Sequence, residues 1–450
     1  MPSTPSSADA ALHRKARKAG IASFIGTTIE WYDFFIYAQA AGLVFGGLFF
    51  APLGETGAQI ASWASLGISF LFRPLGAVIA GHLGDRLGRK RMLVLTLILM
   101  GLATSLIGVL PTYADIGILA TVLLVLLRVL QGFSAGGEWG GAALMSVEHA
   151  PKGKRGLFGA YPQIGVPVGM ILATFTMWVL TTSMSPEAFL AWGWRLPFLF
   201  SIVLIVVGYV IRRAVEESPI FQELQQRRTE SSAPLSTLFR HHGREVVLTA
   251  LIFIANNAAG YLLIAFFTTY VSTVVGMPRP TALLMTTLAS FGWLIFTMLG
   301  GRISDRIGRV RTFQIGYALI AIWSIPMWFL IDTGNVALFF IALFVLTIGL
   351  GLSYGPQSAL YAEMFPADVR YSGVSIGYAL GAILGGAFAP LIAELLLKNT
   401  GNSWSIGVYV LIITIISLVA VSLVKETRGV PLDTQSVDVV DARTAATKVR

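Results

Sequence analysis

The chain has 450 residues, 55% hydrophobic and 12% charged, with 32 Lys and Arg against 23 Asp and Glu and a formal net charge of +9. A mean hydropathy of +0.74 does not fit one soluble core, since a water-soluble protein of this size would expose apolar surface over most of its circumference. The absence of cysteine excludes a disulfide scaffold, a cysteine protease and a thiolate metal site, and the apolar content excludes a disordered chain.

In chain order, a polar, basic segment at residues 1–19 precedes apolar runs of roughly 20 residues or more, each long enough to cross a hydrocarbon core of about 30 Å. These fall at 20–49, 59–82, 91–110, 117–147, 157–180 and 194–212. A polar insertion at 213–245 separates them from a second set at 246–274, 282–302, 312–331, 336–356, 371–397 and 404–424. Residues 425–450 form a polar tail without apolar heptads, which argues against a coiled coil. Lipid offers no partner to open backbone groups, so each run is expected to be helical. The expected fold is all-α, with twelve transmembrane helices in two six-helix bundles, 20–212 and 246–424.

Twelve crossings place both termini and every second loop on one side. That side carries 27 of the 32 cationic residues, while the opposite loops hold Arg279 and Lys398, and Arg73, Arg128 and Arg195 fall within spans. By the positive-inside rule the basic side is cytoplasmic. The basic excess is therefore a topology signal, and no nucleic-acid partner is expected. Residues 1–19 show no cleavage site and read as a cytoplasmic tail in place of a removable signal peptide.

Two stretches repeat. Gly81-His-Leu-Gly-Asp85-Arg86-Leu-Gly88-Arg89-Lys-Arg91 recurs as Gly301-Arg-Ile-Ser-Asp305-Arg306-Ile-Gly308-Arg309-Val-Arg311, and Glu148-His-Ala-Pro151-Lys-Gly-Lys-Arg155 recurs as Glu363-Met-Phe-Pro366-Ala-Asp-Val-Arg370. Both pairs sit at basic-side helix ends in matching places of the two halves. This implies two like-oriented bundles related by an axis along the membrane normal.

The Gly81–Lys90 loop resembles the G-x-L-x-D-R-x-G-R-K loop of the major facilitator superfamily, and the resemblance covers essentially residues 20–425. Three further stretches are similar to its metabolite:proton symporter branch: Glu30-Trp-Tyr-Asp33-Phe-Phe, Phe72-Arg73-Pro74-Leu-Gly76, and Arg128-x-x-Gln131-Gly132-x-x-x-Gly136-Gly137-Glu138-Trp139-Gly140-Gly141. The resemblance implies a bacterial inner-membrane, multi-pass transporter. It also implies that Asp85 faces the start of the eleventh helix, near Arg370 and Ser372.

The loop motifs read as a gate of ion pairs that break as the bundles rock, formed by Asp85, Arg86, Arg89, Glu148, Arg155, Asp305, Arg306, Arg309, Glu363 and Arg370. Plain positive-inside anchoring is the simpler alternative, but it does not require an Asp within a basic loop or its copy in the other half. Glu148 and Glu363 are the natural partners of Arg89 and Arg309 within their own halves.

Glu30 and Asp33, three apart on the first helix, share a face near mid-membrane, and Arg73 and Arg128 reach similar depth. Glu138 lies roughly 15 Å further toward the basic side. Ionised groups at such depth are costly and mark ion pathways more often than structure, so the three carboxylates are the expected proton-coupling groups, against a static ion-pair network as the alternative. Arg128 could grip a substrate carboxylate with two parallel donors. Arg73 either joins it or pairs with Asp33. Gln131, Asn256, Tyr261, Tyr354, Gln357 and Tyr378 supply further polar groups, each equally readable as an interhelical hydrogen bond. Asn256 and Tyr261, five apart, need not line one face.

Gly132-Phe-Ser134-Ala-Gly136 spells a hydrolase elbow, yet it lies inside a membrane helix and not on a strand-to-helix turn. The five histidines, His13, His82, His149, His241 and His242, all fall in tails or loops, and no P-loop is present. An enzyme, a metal site and a cofactor are therefore not expected. The expected activity is proton-coupled import of a small polar metabolite, most simply an organic acid anion such as shikimate, an aromatic acid or a dicarboxylate. A betaine-type zwitterion symporter, a passive facilitator and a transporter-like receptor are the alternatives. The expected partners are the small-molecule substrate, the proton and the lipid bilayer around a monomer.

Overall fold

The computed structural model describes residues 7–87, 89–151, 153–213, 234–366, 369–430 and 432, with side chains placed except at 7–15, 81–93, 212–213 and 234–237. The described residues are helical with short connections and no strand. Ten helical stretches are long and apolar enough to cross a membrane: Ala16–Phe49, Ala51–Ala80, Ile118–Glu148, Arg155–Ser183, Gly193–Ile211, Gly243–Thr273, Arg279–Ile307, Val336–Met364, Arg370–Thr400 and Trp404–Ser422. Two more complete twelve. The third helix is Arg89–Val109, and the ninth is interrupted, Arg309–Trp323 followed by Pro326–Ile331, at a proline that has no amide hydrogen to continue the ladder.

Several helices outrun their apolar stretches. The eighth, expected over 282–302, spans Arg279–Ile307, because hydropathy marks the lipid-facing length while the helix continues through polar residues that remain hydrogen-bonded. The chain just past residue 424 also makes contacts. Glu426, Thr427, Val430 and Leu432 are engaged with the basic face.

Helices of the first half pack among themselves, as do those of the second. Between the halves, the fifth runs against the eighth and the second against the eleventh. The seventh helix has 94% of its apolar window buried and the sixth 28%, which separates central helices from those facing lipid. Leu71, Leu75, Leu102, Leu106, Phe291 and Ile295 are exposed on the outer surface, an apolar belt suited to acyl chains.

Small residues set the closest contacts. A methyl group on Gly132 would strike the Ser69 carbonyl, one on Gly136 the Arg73 carbonyl, and one on Gly76 the Phe133 carbonyl. The second and fourth helices thus touch backbone to backbone, and the hydrolase-like spelling at Gly132–Gly136 is a packing motif. The first and seventh helices each carry one π turn, Ala41–Phe45 and Leu262–Phe266, at equivalent places in the two halves.

Candidate functional site

The seventh helix faces its surroundings through two neighbouring stripes, Asn256, Gly260 and Ile264 on one and Asn257 and Tyr261 on the other. Together with Trp31 and Val166 from the first half and Phe253, Trp293 and Tyr354 from the second, they line a narrow cavity of about 10 Å³. Asn256 and Tyr261 therefore both reach this cavity, from adjacent stripes of the helix. The amide nitrogens of these asparagines are engaged in packing: Asn256 Nδ2 donates to the Leu350 carbonyl at 3.0 Å and Ser353 Oγ at 2.7 Å, and Asn257 Nδ2 to the Ala382 carbonyl at 3.1 Å. In contrast Trp31 Nε1, Trp293 Nε1 and the Tyr261 hydroxyl are buried donors in the wall with no hydrogen-bond partner.

Behind Trp31 lies Arg73. Its guanidinium carbon sits 4.3 Å from the Phe34 ring centre, 4.4 Å from Phe70 and 5.5 Å from Trp31, and its Nε and Nη2 have no hydrogen-bond partner. The alternative of an Arg73–Asp33 pair does not occur. Asp33 Oδ1 accepts from Ser201 Oγ at 2.6 Å and Oδ2 from Thr104 Oγ1 at 2.9 Å, since the Asp33 side chain points into the first bundle, toward the third and sixth helices.

Arg128 is not an open fork either. Nη1 donates to Gln131 Oε1 at 2.6 Å, Nη2 to Ser69 Oγ at 2.6 Å and to the Leu66 carbonyl at 3.2 Å. Its guanidinium carbon is 3.7 Å from the Tyr37 ring centre. Sequence spacing places an arginine at a depth but leaves open how its neighbours saturate it, and here Gln131, one turn along the same helix, takes half the fork. Glu30 and Glu138 are both buried in the first half.

Tyr378 and Gln357 do not line the cavity and lie between it and the basic face. Tyr378 stacks on Trp139, centroids 3.8 Å apart and planes 8° off parallel, and on Phe253 at 4.3 Å. Gln163 of the fifth helix accepts from Trp139 Nε1 at 3.0 Å and donates to the Tyr354 carbonyl at 3.2 Å and Gln357 Oε1 at 3.4 Å. Rings and amides from both halves thus plug the path.

On the basic face, Asp305 reaches the other bundle. Its carboxylate accepts from the Gly156 and Leu157 amides at 2.8 and 2.9 Å, the start of the fifth helix, where the helix dipole and unpaired amides favour an anion. Arg309 holds Asp305 at 2.7 Å and Glu363 at 3.3 Å. The two copies of the second repeat are crossed: Arg155 faces Glu363 of the other half at 3.6 Å, and Arg370 faces Glu148 at 3.7 Å. Glu148 thus reaches across the halves, while its expected same-half partner, Arg89, has its side chain outside the described residues. Asp85, Arg86 and Arg89 have side chains outside the described residues, and Arg306 is exposed.

Sequence reading missed the chain beyond residue 425. Glu426 accepts from the Arg309 and Val310 amides at 2.8 and 3.1 Å, capping the ninth helix, while the carbonyls of Val430 and Leu432 take Arg155 Nη1 at 2.5 Å and Arg370 Nη2 at 3.0 Å. At the far end of the cavity, the Gln39 amide donates to the Ile264 carbonyl and Thr287 Oγ1 to Thr174 Oγ1 at 2.7 Å. Contacts between the halves close the cavity on both sides.

Two similarly built halves of membrane-length apolar helices, with a cavity lined from both, are the architecture of a multi-pass membrane transporter. The chain belongs to the Major Facilitator Superfamily, whose family model matches residues 21–383. It is 40% identical to the inner membrane metabolite transport protein YhjE of Escherichia coli strain K12, over 91% of this chain and 94% of that one. It is 38% identical to the shikimate transporter of the same organism, over 92% and 95%. A glycine betaine/proline/ectoine/pipecolic acid transporter of Dickeya dadantii strain 3937 is 33% identical, over 93% and 85%. Among solved structures, a proton:xylose symporter bound to 6-bromo-6-deoxy-D-glucose shares the fold, with TM-score 0.74, 20% identity and coverage of 94% of this chain and 98% of that one. The protein is a transporter and not an enzyme.

Proposed function

We propose that the protein is a proton symporter of the bacterial inner membrane that imports a small organic acid anion by alternating access, with its basic face cytoplasmic. The observation that carries this reading is the donor-rich wall: Trp31 Nε1, Trp293 Nε1 and the Tyr261 hydroxyl lack acceptors, no Asp or Glu lines the cavity, and Arg73 stands behind with free nitrogens. Buried donors are costly when unpaired, so such a wall favours a solute rich in acceptors. The buried carboxylates of Glu30, Asp33 and Glu138 support proton coupling, because a passive pore needs no titratable group at that depth. The crossed pairs Arg155–Glu363 and Arg370–Glu148, with Asp305 on the fifth helix, support a gate that must open on the basic side.

A second reading rests on the same walls. Trp31, Trp293, Tyr354 and Phe253 offer aromatic faces of the kind that hold a quaternary ammonium, which suits a betaine-type zwitterion. The test loads proteoliposomes, imposes an inward proton gradient and follows shikimate, a dicarboxylate and glycine betaine in parallel. Accumulation of an acid, increasing as the outside is acidified, is the expected result. Accumulation of betaine alone would favour the second reading, and equilibration without accumulation would replace symport by facilitation.

A further inference from the structure

Asp33 and Arg128 do not touch, yet an unbroken line of hydrogen bonds joins them. Arg128 Nη1 donates to Gln131 Oε1 at 2.6 Å, Gln131 Nε2 donates to Thr104 Oγ1 at 2.6 Å, and Thr104 Oγ1 donates to Asp33 Oδ2 at 2.9 Å. The direction is forced by chemistry. A guanidinium only donates, so the Gln131 oxygen must face it and the Gln131 nitrogen must face Thr104. The Thr104 oxygen accepts there, and its single hydrogen has two destinations, Asp33 Oδ2 at 2.9 Å or its own helix at the Met100 carbonyl, 3.0 Å. All members are buried.

We propose that Thr104 and Gln131 are coupling residues that transmit the charge state of Asp33 to Arg128, so that protonation of Asp33 loosens the hold on Arg128 and favours entry of an anion. The proposal rests on the proton-symport reading. While Asp33 is ionised, every donor in the line points from the cation to the anion, and such chains polarise each link in the same sense. A proton arriving on Asp33 Oδ2 makes that oxygen a donor toward Thr104. The Thr104 hydrogen then swings to the Met100 carbonyl, and Thr104 accepts from both Asp33 and Gln131. No atom is gained beyond that proton, but the line loses its anionic end. Arg128, and Arg73 near the same Phe34 ring, are left less compensated in a buried region, where an incoming carboxylate restores the balance.

The other groups near Asp33 are Glu30 and Tyr32 on its own helix, Arg73 on the second, and Arg128 and Glu138 on the fourth. The packed stretches of the third, fifth and sixth helices, residues 94–109, 156–183 and 196–211, carry no Asp, Glu, Lys, Arg or His. Their contribution to Asp33 is the hydroxyls of Thr104 and Ser201.

The test titrates the purified full-length protein by infrared difference spectroscopy, with the proton itself as probe and the carboxylic acid band assigned by its loss in Asp33→Asn. Thr104→Val, which keeps the shape and removes the hydroxyl, should move the midpoint to higher pH by roughly one unit, because the ionised form loses a donor. Thr104→Ser should restore the parental midpoint. The decisive variant is Gln131→Leu, which does not contact Asp33. A relay predicts a shift in the same direction of a few tenths of a unit or more, whereas a purely local role for Thr104 leaves the parental midpoint and overturns the proposal. A Thr104→Ser midpoint matching Thr104→Val would also overturn it, reducing Thr104 to packing. If the parent shows no band that Asp33→Asn removes between pH 5 and 9, Asp33 is not the proton carrier and the relay falls with it. Proton-driven accumulation by the parent then tells whether symport itself survives with another carrier.

Discussion

At the residue scale the two intramembrane arginines differ in how their terminal nitrogens are engaged, and the proposed reading assigns the substrate carboxylate to Arg73. Arg128 has both terminal nitrogens engaged by Gln131, Ser69 and Leu66, while Arg73, caged by three aromatic rings beside the cavity, keeps free donors. Arg73→Lys is accordingly expected to raise the apparent Kd for a carboxylate substrate by about tenfold or more, since an ammonium neither lies flat between rings nor offers a fork. Equilibrium binding of labelled substrate to the detergent-purified protein checks this, and an unchanged Kd would remove Arg73 from the site. Arg128→Lys should also impair uptake, but through collapse of the Gln131 and Ser69 contacts, and so with an altered pH profile that Arg73→Lys does not share.

At the element scale, contacts between helix ends and between helix backbones dominate. Asp305 caps the fifth helix from the opposite bundle, so Asp305→Asn keeps one acceptor and loses the charge, at a cost to the closed basic face of roughly 1 kcal/mol. Slower turnover with substrate binding within a few-fold of the parent is the expected kinetic result, and loss of binding at normal expression would contradict the gate assignment. Glu426→Ala removes the cap on the ninth helix and should likewise weaken that face, by about 1 kcal/mol, read as faster labelling of a cysteine placed beneath it. Gly132→Ala tests the packing of the second and fourth helices. The added methyl meets the Ser69 carbonyl, and overpacking of this kind costs about 1–3 kcal/mol, measurable as a lower thermal midpoint in detergent.

At the scale of the whole molecule, the cavity is sealed by the Trp139–Tyr378–Phe253 stack and the crossed ion pairs on one side and by Gln39 and Thr174–Thr287 on the other. Alternating access requires these seals to open one at a time. By linkage, a proton that aids substrate binding must be aided by substrate to the same extent, so apparent substrate affinity should rise as pH falls. Asp33→Asn or Glu30→Gln, at whichever position carries the proton, should abolish gradient-driven accumulation while counterflow persists, because exchange does not require deprotonation. Accumulation equal to the parent in both variants would move the carrier to Glu138.

The apolar runs, the duplicated Asp-Arg loop and the lopsided placement of Lys and Arg were enough to specify an all-helical membrane protein built from two similar halves, because span length, lipid's lack of hydrogen-bonding partners and charge asymmetry act locally along the chain. The placement of Glu30, Asp33, Arg73 and Arg128 inside helical spans was legible for the same reason. Partner choice was not. Asp33 meets Thr104 and Ser201, 71 and 168 residues away, Glu148 meets Arg370 of the other half, and Glu426 returns to cap a helix 117 residues upstream of it. Such contacts depend on how helices rotate and cross, which is fixed by packing at glycines such as Gly132 and Gly136 and by the close fit of the two bundles. Hydrogen-bond saturation, which separates a free arginine from an engaged one, exists only once those surfaces are in contact.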